Sequence, residues 1–164
     1  MEGNALVPRV VGPTDGETLD LGTVGVRYLV RGEESGGAFA LVEHPIAPRT
    51  LAAPPHRHVN EDEYSIVLEG RLGALLGDEV VYVDPGEIAV KPRGQWHTFW
   101  NAGDTPCRIL ELISPAGFEH YFEAVAEAGG RSPEVAARYG FEIDFDRIEP
   151  LCAEHGLRFP PRIV

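Results

Sequence analysis

His56 and His58 stand two residues apart, Glu63 follows five residues after His58, and His97 lies well downstream. Successive side chains of a strand point to opposite faces, so residues two apart share a face, about 6–7 Å from each other at the backbone. Two imidazoles so placed can converge on one ion about 2 Å from each nitrogen. An uninterrupted strand would send Glu63 to the other face. The intervening Val59-Asn60-Glu61-Asp62 contains turn-prone residues, and a reversal there brings Glu63 back. His97 must arrive from a separate strand. Three imidazoles and one carboxylate make a mixed N/O donor set for one divalent transition metal (Fe, Mn, Ni, Co, Cu or Zn). One or two positions then stay open to water, O2 or a chelating substrate. Burying Glu63 beside three imidazoles is costly unless a cation offsets it.

Such a site needs short strands, and the chain is punctuated for them. Val24, Val26, Tyr28 and Val30 alternate with Gly25, Arg27 and Leu29, and Ala38 to Glu43 reads as a buried strand. Between Glu63 and Ser114 six short runs are separated by turn sequences: Glu69-Gly70, Gly77-Asp78, Asp84-Pro85-Gly86, Pro92-Arg93-Gly94 and Asn101-Ala102-Gly103-Asp104. This predicts an antiparallel sandwich or small barrel. After Ser114 the period changes. Phe118, Tyr121, Phe122, Val125 and Ala126 form one helical stripe that ends at Gly129-Gly130. Ser132-Pro133-Glu134 starts a second, short helix. A third is expected from about Asp146 to His155, with Pro150 tolerable only in its first turn. The expected division is a barrel over residues 1–114, with its metal-binding core at 50–101. A helical extension over 115–164 packs on the outside or across one mouth.

The spacing of these residues resembles the cupin family. That family's first motif, G-x5-H-x-H-x3–4-E-x6-G, is matched by His56, His58, Glu63 and Gly70, with Thr50 in place of the leading glycine. The second, G-x5-P-x-G-x2-H-x3-N, is matched throughout by Gly86, Pro92, Gly94, His97 and Asn101. The resemblance implies a mainly β fold, the cupin-type antiparallel barrel (double-stranded β-helix, jelly roll), with His56, His58, Glu63 and His97 as metal ligands. Within that fold, Pro92 and Gly94 aim His97 inward, and Asn101 bonds to backbone in the following turn.

The chain as a whole resembles small bacterial monocupins related to quercetin dioxygenases. By that resemblance the expected activity is a metal-dependent dioxygenation of a small enol or flavonol-like substrate, with Glu63 as catalytic proton acceptor. The alternatives are a non-oxidative isomerase, cyclase or lyase, and a small-molecule-binding cupin without catalysis. Phe99 shares parity with His97 and is the better pocket candidate, while Tyr64 and Arg108 are further candidates for substrate contact. His44, His120 and His155 read as surface or packing residues, and neither Cys107 nor Cys152 has a neighbour that suggests a nucleophile.

Bulk properties narrow the partners. Asp and Glu outnumber Lys and Arg by 26 to 14, a net charge of −12, which repels a phosphate backbone and argues against nucleic acid. No apolar run reaches the length of a membrane span. The segment Met1 to Val10 lacks the pattern of a secretory signal, and two cysteines are few for a disulfide-stapled domain. The expectation is a cytoplasmic homodimer acting on a small molecule, with O2 as co-substrate in the dioxygenase reading.

Overall fold

The computed structural model describes residues 7–160, so the expectation drawn from Met1 to Val10 lies largely outside the described residues. Among the described residues eleven strands come in the order β1 (Thr18–Asp20), β2 (Gly25–Val30), β3 (Ala40–Ile46), β4 (His56–His58), β5 (Asp62–Glu69), β6 (Leu72–Leu76), β7 (Glu79–Val83), β8 (Ile88–Lys91), β9 (His97–Asn101), β10 (Cys107–Ser114) and β11 (Phe141–Ile143). The helices are α1 (His120–Glu127), α2 (Pro133–Ala137) and α3 (Ile148–His155). One antiparallel sheet runs β1-β2-β3-β10-β5-β8 and the other β11-β4-β9-β6-β7. Together they form a double-stranded β-helix, as expected from the sequence.

Alternation decides what faces the interior. Along β10, Cys107, Ile109, Glu111 and Ile113 are buried, while the residues between them are partly exposed. Along β5 the buried set is Glu63, Ser65 and Val67. Polar and apolar residues therefore share the same inward rows, with the polar ones clustered at one end. On β9 the two parities separate as expected. Phe99 faces the interior, while Trp100 packs outward with Leu51, Leu75, Leu151 and Leu157. Trp100 is directly opposite Gly73 on β6, and a Cβ at Gly73 would sit 2.2 Å from Trp100 Nε1. Gly73→Ala is accordingly expected to destabilise the fold by about 1–3 kcal/mol, the usual cost of overpacking a filled core. Chemical denaturation would show it as a lower midpoint with an unchanged slope.

The helices follow their sequence signals closely. Ser132 Oγ accepts a hydrogen bond from Val135 N (3.2 Å) at the start of α2. A 3-10 turn at Phe145–Arg147 leads into α3, which starts at Ile148, so Pro150 does fall in its first turn. Gly156 closes α3 in the left-handed conformation (φ 63°). The stripe on α1 buries Tyr121, Phe122 and Val125, but Ala126 is exposed. One feature departs from a purely helical C-terminal segment: Phe141–Ile143 is a strand that extends the second sheet beside β4, with Phe141 opposite His58 and Ile143 opposite His56. Three residues are too few to show a period, so this strand had no legible signal. No helix among the described residues is long and apolar enough to cross a membrane.

Candidate metal centre

His56 and His58 point inward from β4, and His97 comes from β9, where it is paired with His56. All three belong to the second sheet. After His58 the chain crosses to the first sheet, and Glu63 on β5 faces the imidazoles from the opposite wall. The turn that delivers His97 is tied to β4 by a hydrogen bond from Gly94 N to the His58 carbonyl (2.7 Å). Gly94 has φ 76°, a conformation that favours glycine. Asn101 anchors the far end of β9. Its Nδ2 donates to the carbonyls of Ile46 (3.0 Å) and Thr105 (2.8 Å), and its Oδ1 accepts from Gly103 N (2.9 Å). Where the family motif has its leading glycine, buried Thr50 forms a bridge to Arg158, and the left-handed backbone falls on the preceding Arg49 (φ 51°).

The four side chains are almost fully buried, at 1–4% exposure. His56 lies 4.3 Å from His97 and 5.2 Å from His58, measured between ring centroids. Glu63 Oε2 is 3.3 Å from His58 Nε2 and 3.4 Å from His97 Nε2. One ligand atom from each of the four residues falls within 4.8 Å of all the others. Two donors each about 2.1 Å from a common ion can be at most about 4.2 Å apart, so a slight contraction completes the shell.

Hydrogen bonding behind the rings sets their tautomers. Each Nδ1 faces an acceptor: the Pro54 carbonyl for His56 (2.6 Å), the Glu61 carboxylate for His58 (3.3 Å) and the Gln95 carbonyl for His97 (3.0 Å). Nδ1 therefore carries the proton, and each Nε2 turns a lone pair inward. The Nε2 atoms of His58 and His97 are buried and have no hydrogen-bond partner. Lone pairs gathered around a carboxylate repel one another, and a cation at their focus resolves that repulsion. The residues present thus fit one divalent ion, held by three Nε2 atoms and Glu63. Without an ion a proton takes its place: burial disfavours the charged His58 ring, but Glu63 and Glu61 outweigh this and raise its pKa to about 9.

Behind the ligands lies a charged ladder that the sequence did not reveal. Lys91 on β8 is directly opposite Glu63 and is 2% exposed. Its Nζ is 3.1 Å from Glu63 Oε2 and 2.9 Å from Glu111 Oε1. Ser65 Oγ donates to Glu111 Oε2 (2.7 Å). Burial opposes the charge on Lys91, but Glu111 and Glu63 hold its pKa above the usual value. Burial likewise acts against the Glu63 carboxylate, yet His58 and Lys91 hold it ionised, well below the ordinary range. For Glu111 burial wins over Lys91, and its pKa rises to about 7.

The cavity beside this cluster, about 30 Å³, is lined by His44, His56, Glu63, Glu111 and an aromatic set, Phe99, Phe118, Tyr121, Phe122 and Phe141. Phe118, Tyr121, Phe122 and Phe141 come from the C-terminal segment, which closes this mouth of the barrel. Of the expected substrate contacts, only Phe99 is brought here. Tyr64 has the opposite parity to Glu63 on β5 and faces outward. Arg108 lies on the outer face of β10, where its guanidinium is 3.2 Å from Glu43 and 3.5 Å from Glu69. Both are separated from the cavity by the sheet itself, because neighbours on a strand face opposite sides.

Of the surface and packing roles expected for it, His44 has the packing one. It is 3% exposed, donates from Nδ1 to the Gly25 carbonyl (2.7 Å) and meets Phe122 edge-on. Burial pushes its pKa from 6.5 down to about 4. As pH falls through that window the unfolded chain takes up the proton first, so stability declines from about pH 6.5 towards pH 4. A shift of this size corresponds to about 3 kcal/mol. Urea unfolding of metal-free wild type and His44→Leu across this range is expected to show a shallower loss in the variant.

The comparisons agree with this geometry. Residues 43–113 match the Cupin domain family (Cupin_2). Fold, match and motif together make this chain similar to the cupins. Over 60 residues it is 35% identical to the tetracenomycin polyketide synthase protein TcmJ of Streptomyces glaucescens, a match covering 37% of this chain and 40% of that relative. The chain thus spans about two-fifths of the curated relative's length. The polyketide cyclase RemF of Streptomyces resistomycificus superposes with a TM-score of 0.57 at 28% identity, covering 66% of this chain and 80% of its own. KdgF from Halomonas sp. superposes with a TM-score of 0.61 at 16% identity, covering 69% of this chain and 98% of its own, a likeness of fold alone.

Proposed function

We propose that this protein is a metal-dependent, non-oxidative enzyme of the cyclase type, acting on a small polycarbonyl compound. The observation that carries the reading is the convergence of three inward Nε2 lone pairs and Glu63 beside a second buried carboxyl, Glu111, and an aromatic wall. The resemblance to a polyketide cyclase supports it. A bound divalent ion would supply a Lewis acid that acidifies the carbon next to a carbonyl. Glu63, held ionised, suits the role of ligand. Glu111, with a pKa of about 7, is matched to accepting and returning a proton near neutrality. It takes the proton from the carbon next to one carbonyl. That carbon bonds to a second carbonyl carbon of the same molecule, and the proton passes to the oxygen left behind. No electron is gained or lost. The flat rings of Phe99, Phe118 and Phe141 line the side of the cavity next to the site and exclude water from it.

The test is turnover of a linear poly-β-ketone by zinc-loaded protein under argon. The expected result is ring closure at the same rate as in air, with a loss of about a hundredfold or more in Glu111→Gln at unchanged zinc content. Turnover that requires O2 and consumes it would overturn this reading in favour of the dioxygenase.

A further inference from the structure

One cation near the cavity has no part in the ladder of carboxylates. Arg131 follows Gly129-Gly130 at the end of α1 and lines the interior cavity beside His56 and Glu63. It also lines an outer cleft of about 210 Å³, formed with Leu21, Val125, Phe145 and Phe159. Its guanidinium donates to two neutral oxygens, Thr23 Oγ1 (3.0 Å) and the Ala52 carbonyl (3.4 Å). Burial pushes its pKa down, and the influence opposing this is the Tyr121 phenol. Tyr121 is 2% exposed, lines the same cavity, and its hydroxyl is buried without a hydrogen-bond partner. A half-buried guanidinium held only by neutral acceptors and an idle buried hydroxyl facing one cavity each lack a strong partner. An oxyanion placed between them satisfies both.

We propose that Arg131 and Tyr121 form an oxyanion subsite that selects substrates carrying a carboxylate, reached from the outer cleft, with the reacting carbonyl directed at His56 and Glu63. This rests on the polycarbonyl reading above and narrows it to a keto acid. Arg131 is a specificity-determining residue here, and Tyr121 a second donor to the same oxygen.

The probes are acetoacetate and its neutral isostere acetoacetamide, titrated into zinc-loaded protein by calorimetry, with zinc content measured in each sample. Wild type is expected to bind acetoacetate about tenfold or more tightly than acetoacetamide. Arg131→Gln should lose that preference while keeping its zinc and its binding of acetoacetamide, and Arg131→Lys should recover part of it. Tyr121→Phe should weaken acetoacetate binding with an unchanged or raised melting temperature, since it removes an unpaired hydroxyl. The proposal is overturned if Arg131→Gln binds acetoacetate as wild type does, if the two probes bind wild type equally, or if neither binds. Because the readout is binding, a protein that shows the preference but no ring closure defeats the cyclase reading and leaves the subsite standing. Ring closure without the preference does the reverse.

Discussion

Lys91→Met is expected to be the most damaging single substitution behind the site. The ammonium sits between Glu63 and Glu111 at 3.1 and 2.9 Å, with its side chain fully buried. Removing one partner of a buried ion pair costs about 3–5 kcal/mol, because the remaining charge has no solvent to return to. Here two carboxylates would be left on one wall. In a domain of this size that corresponds to a melting temperature lower by roughly 10 °C. The measurement is thermal unfolding of metal-free protein. Adding Glu111→Gln to Lys91→Met should recover much of the loss, since the two residues belong to one network and their effects do not add. A single variant melting within about 2 °C of wild type would mean that the three charges do not form a ladder.

The second large effect is on ion affinity, and it should be graded. Glu61 touches no ion in this account; it holds the His58 Nδ1 proton and so fixes which nitrogen faces inward. Losing such an outer partner typically weakens metal binding by about 10–100-fold. Glu61→Ala is expected to fall in that range for zinc. His97→Ala removes a donor atom itself and should weaken binding by more than about a hundredfold. Competition against a chromophoric chelator measures both. Equal affinities for Glu61→Ala and wild type would show that the His58 tautomer needs no carboxylate to fix it.

The ligands were legible because their signal is spacing. The two-residue interval of His56 and His58, the turn before Glu63 and the Pro92-Gly94-His97-Asn101 run each have a local geometric meaning, and the strand punctuation between them supplied the barrel. What stayed hidden depends on contacts between distant segments. Lys91 reads as the polar end of an apolar strand, yet Ile88 and Val90 are outward and about half exposed (55% and 53%), while Ala89 and Lys91 face in. The inversion becomes sensible only when Glu63 and Glu111 arrive from β5 and β10. Phe141 and Arg131 lie in a region whose helical period dominates the sequence, and neither a three-residue strand nor one arginine after two glycines carries a pattern. Tyr64 and Arg108 were misplaced for a simpler reason: strand parity, applied correctly to Phe99, also sends both of them outward.

The most direct measurement is the metal content of the protein, by elemental analysis after purification without added metal and again after incubation with zinc, nickel, cobalt, manganese or iron(II) and removal of the excess. One divalent ion per chain in wild type, with none in a variant lacking both His56 and His97, is the expected result. A wild-type chain that retains no ion after any of these incubations would contradict the account, and the inward imidazoles would then be only core residues around a buried proton.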